Sequence, residues 1–445
     1  MAVTLLLPDW LLCAADEPAH SGWGLAVHGD RVAAVGLHAE LRALYPDAEA
    51  VEAPGKAIVP GLVNTHHHMY GVLSHGIPLP DGQPPNGFWA FLQDFWWPRM
   101  EDSLTHEMIA AATEWACLEM VRSGVTTFYD CLEAPFALPG CLEVEAEVVR
   151  RWGLRGILSF EATQRVSAEN GQLGLRENSQ FVDSCRLAGG LVSGMICFHT
   201  TFTCDEAFIR QACALAADLG AMVHMHCAEG RYEPEWCLKH YGRRTLEVYA
   251  AWGLLGPLVL ASQCVQIAPR EIELLAEHGV KASHMPLSNC EVGGGFAPVP
   301  EMLAAGLTVG LGTDGYVNNF FALMRGATLL HRARLEDPGV MPARTVWHMA
   351  TLGGAQALGL ADVGALRPGF SADLVVLDAG LPTPLSTGNA WDQLLLWREP
   401  QHVEAVMCAG RWLMRDGLVL GVDEGQIRER SQEAAWRLWN RGDLG

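Results

Sequence analysis

Eight short apolar segments alternate with helical stretches through the middle of this 445-residue chain. Segments 104–123, 206–219 and 269–278 have the length and apolar spacing of helices packed on a sheet. Regular alternation of strand and helix indicates a parallel sheet, and eight such units favour a closed barrel. The predicted strands are 57–63, 125–129, 156–160, 194–198, 221–224, 257–261, 280–283 and 307–310. We therefore predict an α/β fold of the (β/α)8, or TIM barrel, type.

Both ends of the chain are rich in short strand-like segments separated by turn residues. Two β-rich ends around a long middle predict one small β-sandwich domain, built from residues 1–56 plus 365–425. The barrel is then assigned to residues 57–364, and an amphipathic C-terminal helix to residues 426–445.

The balance of charge restricts the partners of the chain. Its 51 acidic and 30 basic residues give a formal net charge of -21, which argues against nucleic acid and anionic membranes. No apolar run approaches the ~20 residues needed to span a bilayer. A signal peptide begins with a positively charged region, and this chain has no Lys or Arg before Arg31. The 13 cysteines include no CxxC pair, which is typical of a reducing compartment. We predict a cytoplasmic protein without nucleic-acid or membrane partners.

Three consecutive histidines, His66, His67 and His68, follow the first predicted strand. Residues two apart on a strand point to the same side, so His66 and His68 can reach one ion while His67 points away. Neutral imidazole is a common metal ligand and suits zinc or iron. Three solvated loop histidines are the alternative interpretation, and the triplet alone does not decide between them.

Ligand-type side chains also follow predicted strands four, five, seven and eight. Active sites of (β/α)8 barrels lie where the strands end at the C-terminal face, so these side chains should meet there. They are His199, His226, Glu229, His284 and Asp314. Three imidazoles and one carboxylate make a metal shell with a position left for water. The predicted metal ligands are His66, His68, His226 and Asp314.

The chemistry of such an ion suggests roles for the residues around it. A divalent ion lowers the pKa of its water toward ~7, which creates hydroxide at neutral pH. Asp314 could accept the water's proton, and Glu229 could carry a proton to a leaving group. We expect His199 and His284 to hydrogen-bond the substrate or the ligands. One alternative remains open for Asp314, which could merely cap a helix. His224 shares the face of His226, and we expect it to pack inside the barrel or to contact a ligand rather than to bind the metal.

Four motifs resemble the amidohydrolase superfamily. They are Pro-Gly-Leu-Val-Asn-Thr-His-His-His at 60–68, His224-x-His226-x-x-Glu229, His284-x-Pro286-x-Ser288-Asn289, and Gly-Leu-Gly-Thr-Asp-Gly at 310–315. The resemblance covers essentially the whole chain. It is strongest to the cytosine deaminase, guanine deaminase and chlorohydrolase (triazine hydrolase) group, and within that group to the SsnA aminohydrolase branch. It implies one divalent ion, zinc or iron, at the four predicted ligands, with proton shuttling by Glu229. It also implies substrate contacts by His199, His284, Ser288 and Asn289.

One segment departs from the pattern of the family. After strand six the family carries His-Cys-x-His, whereas this chain has Gln263-Cys264-Val265-Gln266. In the family the first histidine hydrogen-bonds the metal-bound water or the tetrahedral intermediate. Gln263 can still donate a hydrogen bond but cannot relay a proton, and such a loss could cost about 10²–10³ in rate. The predicted catalytic residues are Glu229, Asp314 and Gln263.

The motifs predict a metal-dependent aminohydrolase that deaminates a small nitrogen heterocycle of the purine, pterin, pyrimidine or triazine type. The two glutamines leave two alternatives. The enzyme could hydrolyse another C–N bond, such as a cyclic amide, or displace another leaving group. The chain could also be a catalytically degenerate metal-binding subunit.

An aromatic cluster follows the first strand. Its members are Trp89, Phe91, Phe95, Trp96 and Trp97. They could form a lid that stacks on a flat ring, or they could form a dimer interface. We expect a homodimer with a heterocyclic small-molecule substrate.

Overall fold

The computed structural model describes residues 2–79, 85–315 and 317–440. The strands are β1 (Val3–Leu11), β2 (His20–Ser21), β3 (Trp23–His28), β4 (Arg31–Leu37), β5 (Glu49–Pro60), β6 (Leu62–His67), β7 (Val125–Leu132), β8 (Arg155–Phe160), β9 (Val192–Gly194), β10 (Ile196–Phe198), β11 (Val223–Cys227), β12 (Val259–Gln263), β13 (Lys281–His284), β14 (Val309–Leu311), β15 (Leu374–Asp378), β16 (Val403–Cys408), β17 (Arg411–Arg415) and β18 (Leu418–Val419). The helices are α1 (His38–Leu44), α2 (Phe88–Phe91), α3 (Trp97–Arg99), α4 (His106–Arg122), α5 (Cys141–Trp152), α6 (Ala168–Ala188), α7 (Glu206–Leu219), α8 (Tyr232–Tyr241), α9 (Thr245–Ala251), α10 (Pro269–His278), α11 (Pro286–Glu291), α12 (Val299–Ala304), α13 (Phe320–Leu335), α14 (Ala343–Met349), α15 (Leu352–Ala357), α16 (Ala390–Trp397) and α17 (Glu424–Trp439).

Strands β6 to β14 form one parallel sheet in the order β10-β11-β12-β13-β14-β6-β7-β8-β9. The sheet closes because β9 and β10 are two halves of one strand, separated only by Met195. The backbone N–H of Met195 donates to the carbonyl of Leu158 at 3.1 Å, which carries the pairing across the interruption. Helices lie between successive strands, and the predicted (β/α)8 barrel is confirmed.

The first predicted strand, 57–63, is wrong in its bounds. Residues 57–60 end β5, which pairs with β15 in the other sheet, and the barrel strand β6 begins only at Leu62. Gly61 lies between them, and a Cβ built there would sit 2.2 Å from Oγ1 of Thr126. A glycine is required at this junction because the chain passes from one sheet to the other against β7.

The second sheet contains strands from both ends of the chain. Its order is β18-β17-β16-β15-β5-β1-β3-β4, with β2 paired to β1. The β1 and β5 strands are parallel, and the other pairs are antiparallel. The two termini therefore build one small β-sheet domain, as predicted, in which the described strands form one continuous sheet; its packing as a sandwich stays a prediction. The division into residues 1–56 plus 365–425, 57–364 and 426–445 stays a prediction.

The last described helix, α17, packs against the barrel. Ile427 and Leu438 are buried, and the indole N–H of Trp439 donates to the carbonyl of Leu73 at 2.7 Å. Residues 441–445, which complete the predicted C-terminal helix, lie outside the described residues. No helix of the described part of the chain is long and apolar enough to cross a membrane.

Candidate metal and catalytic site

Three imidazole rings meet at the C-terminal end of the barrel. His66 and His68 come from the end of β6, and His226 from β11. The ring centroids of His66 lie 4.9 Å from those of His68 and His226, and the His68 and His226 centroids are 5.3 Å apart. Rings bound to one ion through bonds of about 2.0–2.1 Å have centroids roughly 5 Å apart. The spacing therefore fits one metal ion.

The Nε2 atoms of His66 and His68 are available to bind a metal ion. Nδ1 of His68 donates to the carbonyl of Cys131 at 2.7 Å, which leaves Nε2 free of its proton. Nε2 of His66 is buried and has no hydrogen-bond partner among the described residues. Burial lowers the pKa of His66 well below its usual value and that of His68 to about 4. Both rings are therefore neutral at pH 7, the form that binds metal.

Asp314 lies at the end of β14, beside these rings. Its Oδ1 is 3.6 Å from Nε2 of His68 and accepts the backbone N–H of Gly315 at 2.8 Å. Its Oδ2 accepts from Nε2 of Gln263 at 2.8 Å and from the hydroxyl of Ser288 at 2.9 Å. Burial opposes ionisation, but the adjacent His68 ring and the hydrogen bond from Gln263 hold the pKa of Asp314 below its usual value. The site therefore offers an anionic oxygen next to the imidazoles.

His67 points away from the ring cluster and supports Asp314 from behind. Its Nδ1 donates to the backbone carbonyl of Asp314 at 2.6 Å. Asn64 links the same two strand ends, because its side chain bonds both the hydroxyl and the backbone N–H of Thr313. These contacts fix strand eight of the barrel relative to strand one.

Gln263 ends β12 with a left-handed backbone, φ 71°. Its Nε2 donates to Asp314, and its Oε1 accepts the side-chain N–H of Asn289. Asn289 therefore fixes which end of the Gln263 amide faces Asp314. Gln266 has a different partner, since its Nε2 donates to the carbonyl of Gly294 at 2.6 Å. Of the two unusual glutamines, the described contacts bring only Gln263 to the carboxylate.

Replacing Gln263 by leucine should lower kcat by about 10²–10³, because Asp314 loses a buried donor that fixes its carboxylate. Gln263→His is the matched variant, since an imidazole can also donate to Asp314. We expect it to retain activity within about tenfold of wild type if donation is what matters. Steady-state kinetics on both variants would check this, and equal losses in the two would contradict it.

Glu229 and His199 line a small cavity next to His226. Nδ1 of His199 lies 2.9 Å from the hydroxyl of Thr203, so its Nε2 faces the site. Burial, together with repulsion by Asp314 and other carboxylates, raises the pKa of Glu229 well above its usual value. A carboxyl group whose pKa is raised in this way is suited to proton transfer.

The three remaining predicted residues lie in two different surroundings. Ser288 and Asn289, both in α11, reach Asp314 and Gln263. His284 instead contacts α13, where its Nε2 is 3.1 Å from Nε2 of His331. The substrate-binding roles of His284, Ser288 and Asn289 stay predictions.

Two buried residues at the site were not predicted. One donor atom from each of His66, His68, His226 and Cys131 lies within 4.8 Å of the others. The thiol of Cys131 is 3.6 Å from Nδ1 and 3.9 Å from Nε2 of His68, so it lies beside the ring rather than in front of Nε2. Glu161 contacts His226 directly, with 2.7 Å between Oε1 and Nδ1. Both residues lie at the C-terminal end of a predicted strand, and that position was the available signal.

A closed barrel with neutral imidazoles and carboxylates at its strand ends is the architecture of a metal-dependent hydrolase. Residues 57–413 match the Amidohydrolase family, and residues 24–48 match an imidazolonepropionase-like composite domain of bacteria. The chain belongs to the amidohydrolase family, and the predicted resemblance is confirmed.

Curated relatives align over nearly the whole chain. A 5'-deoxyadenosine deaminase of Methanothermobacter thermautotrophicus is 34% identical over 403 residues, which are 88% of this chain and 90% of the relative. A 5-methylthioadenosine/S-adenosylhomocysteine deaminase of Pelotomaculum thermopropionicum is 32% identical and covers 94% of both chains.

Solved structures show the same fold. An adenosine deaminase from Xanthomonas campestris with bound zinc superposes with a TM-score of 0.88 at 25% identity, covering 98% of both chains. The atrazine chlorohydrolase TrzN of Arthrobacter aurescens, complexed with zinc, gives a TM-score of 0.82 at 20% identity over 97% of this chain and all of that chain. Guanine deaminase of Escherichia coli gives 0.77 at 20% identity, over 93% of this chain and 100% of the other. The last two likenesses concern the fold alone.

Proposed function

We propose that this chain is a metal-dependent aminohydrolase that releases ammonia from adenosine-type nucleosides altered at the 5' position. The observation that carries the proposal is the meeting of three imidazoles, Asp314 and Glu229 at one end of the barrel. The deaminase relatives, at 32–34% identity, support the substrate class.

His66, His68, His226 and Asp314 would hold one divalent ion, for which zinc is the first choice and iron the second. The donor set fits, because the buried Nε2 of His66 has no other partner in the described chain and the rings are neutral. When bound, such an ion supplies a water that can attack at neutral pH. Structural neighbours with zinc support the metal.

Two carboxyl groups would handle the protons. Asp314 is ionised, held by Gln263 and Ser288, and can accept a proton at Oδ1. Glu229 favours its protonated form and lines the cavity beside His199, so it can pass a proton to the substrate. Because Gln263 stays neutral, proton transfer would rest on these two carboxyl groups.

Aromatic side chains cover this cavity. Trp89 stacks on Tyr232 with ring centroids 4.0 Å apart and planes inclined by 9°, and its centroid lies 5.5 Å from that of Phe202. All three residues line the cavity with Glu229. This placement supports the lid alternative for Trp89, with flat rings available to stack on a purine.

Trp89→Ala should raise KM with little change in kcat. Stacking on one base is worth about 1–3 kcal/mol, or roughly 5–140-fold at 1.4 kcal/mol per tenfold. Trp397→Ala, which removes a 63%-exposed tryptophan on α16, is the matched control. A fall in kcat alone, with KM unchanged, would argue against a stacking role.

The substrate proposal is tested by incubating metal-loaded protein with a panel of nucleosides and free bases. We expect ammonia release from 5'-deoxyadenosine and 5-methylthioadenosine, with a product one mass unit heavier because NH is replaced by O. A product 18 units heavier with no ammonia would indicate ring opening, the second alternative raised by the glutamines. Absence of turnover across the panel in protein that holds metal would refute the proposed reaction.

We also propose a homodimer in the cytoplasm. The 13 free cysteines, of which only Cys290 is exposed, support a reducing compartment. Light scattering coupled to size-exclusion chromatography would measure the mass against 48.3 kDa per chain.

A further inference from the structure

Three neighbouring strands of the barrel place Glu161, His199 and His226 in one row. Glu161 follows β8, His199 follows β10, and His226 lies in β11. Backbone hydrogen bonds continue between these strand ends, from the N–H of His199 to the carbonyl of Ala162 at 3.2 Å and from the N–H of His226 to the carbonyl of His199 at 3.1 Å. The main chain therefore sets the spacing of the three side chains.

A buried asparagine fixes the end of β8. The side-chain N–H of Asn178, in α6, donates to the carbonyls of Phe160 at 2.7 Å and Cys197 at 3.3 Å. Its Oδ1 accepts the backbone N–H of Phe160 at 2.7 Å. These hydrogen bonds satisfy backbone groups at the point where β8 ends. Asn178 of α6 therefore holds Phe160 in place, and with it the next residue, Glu161.

The side chain of Glu161 is 2% exposed and faces the two histidines. Its Oε1 is 2.7 Å from Nδ1 of His226 and 3.9 Å from Nε2 of His199. Both atoms of the contact with His226 are buried, and neither forms a hydrogen bond of ordinary geometry with any described residue. Burial makes ionisation of Glu161 unfavourable unless the group is paired, and Nδ1 of His226 is the nearer of its two imidazole neighbours.

We propose that Glu161 is a positioning residue that accepts the Nδ1 proton of His226 and so keeps the lone pair of Nε2 directed toward the metal. The inference rests on the proposed function, in which His226 is a ligand. A carboxylate that holds a ligating imidazole fixes both its tautomer and its ring orientation. Glu161 also lies near His199, which faces the substrate side of the site, so one side chain is close to both histidines.

A neighbouring carboxylate provides the matched control. Glu133 is 1% exposed and is paired with Arg165, which also contacts Glu101 at 3.1 Å and Asp102 at 2.8 Å. Glu133→Gln removes the same charge from the same buried cluster while leaving the contact between Glu161 and His226 in place. A difference in metal binding between Glu161→Gln and Glu133→Gln would therefore result from the contact between Glu161 and His226, and not from the loss of a buried charge.

The experiment measures zinc affinity by competition with a chelator, and the visible absorption of the cobalt(II)-substituted protein. Glu161→Gln keeps an acceptor oxygen and should weaken zinc binding by about tenfold, whereas Glu161→Ala should weaken it by about 100-fold. Both variants should shift the cobalt ligand-field bands, and Glu133→Gln should shift them less. Glu161→Asp, which keeps the charge but shortens the reach, should resemble Glu161→Ala.

Wild-type affinity in Glu161→Gln and Glu161→Ala, or equal losses in Glu161→Gln and Glu133→Gln, would overturn the inference. Two ions per wild-type chain falling to one in Glu161→Gln would also overturn it, because Glu161 would then ligate a second ion with His199 and His226. Metal absent from the wild-type protein after reconstitution would instead refute the proposed function. If Glu161→Ala does not fold, Glu161→Gln and Glu161→Asp still decide the matter.

Discussion

His226→Ala is expected to remove the metal and to lower kcat/KM by roughly 10³ or more. An ion bound there would supply several kcal/mol of transition-state stabilisation, and each 1.36 kcal/mol is a factor of ten. His226 is the proposed ligand from β11, and its ring centroid lies 4.9 Å from that of His66 and 5.3 Å from that of His68. Elemental analysis and ammonia release would measure the two losses.

The control for this variant is His278→Ala, which removes an exposed histidine at the end of α10. We expect metal content and turnover to match wild type. If His226→Ala retained one ion per chain and full activity, the ligand set would have to be centred elsewhere in the cluster.

Glu229→Gln should abolish most of the turnover while metal content stays at the wild-type level. General acid–base catalysis is worth about 10²–10⁴ in rate, and the amide cannot carry a proton. The variant keeps the size of the side chain, so its neighbours His199 and His226 stay in place. Single-turnover kinetics with bound substrate would separate the chemical step from binding.

Glu235→Gln is the comparison for Glu229→Gln, since it removes an exposed carboxylate from α8, a few residues further along the chain. Its kcat should be unchanged. Retention of kcat in Glu229→Gln would show that another group transfers the proton, and a loss of metal would show a structural role.

The sequence predicted the barrel and the residues that meet at its end because both depend on simple periodicities. Alternation of apolar segments indicates the parallel sheet, and the two-residue repeat of a strand brings His66 and His68 to one side. Glu161 and Cys131 also lie at the ends of predicted strands, so the sequence places them at the same end of the barrel as the histidines. Their importance depends on which side chain of the next strand they face, and that register is a tertiary property.

His284 shows the limit of the same signal. It follows a predicted strand as His226 does, yet its Nε2 faces His331 on α13. A shift of one residue along a strand moves every side chain to the other face of the sheet. The sequence alone therefore does not show whether a histidine at a strand end faces the site or the surrounding helices. The bounds of the first strand failed for a related reason, because hydropathy runs without a break through Gly61 from β5 into β6.

The passage from β5 through Gly61 into β6 connects two distant parts of the chain to the proposed metal ligands His66 and His68. Strand β5 is held on one side by β1 and on the other by β15, more than 300 residues later. The strand that carries His66 is therefore a direct continuation of a strand clamped by both chain ends. During synthesis, β5 gains its second partner only when residues 374–378 have been made. A strand made more than 300 residues later thus completes the anchor of β6, which gives the terminal sheet a part in assembling a site whose proposed ligands all lie in the barrel.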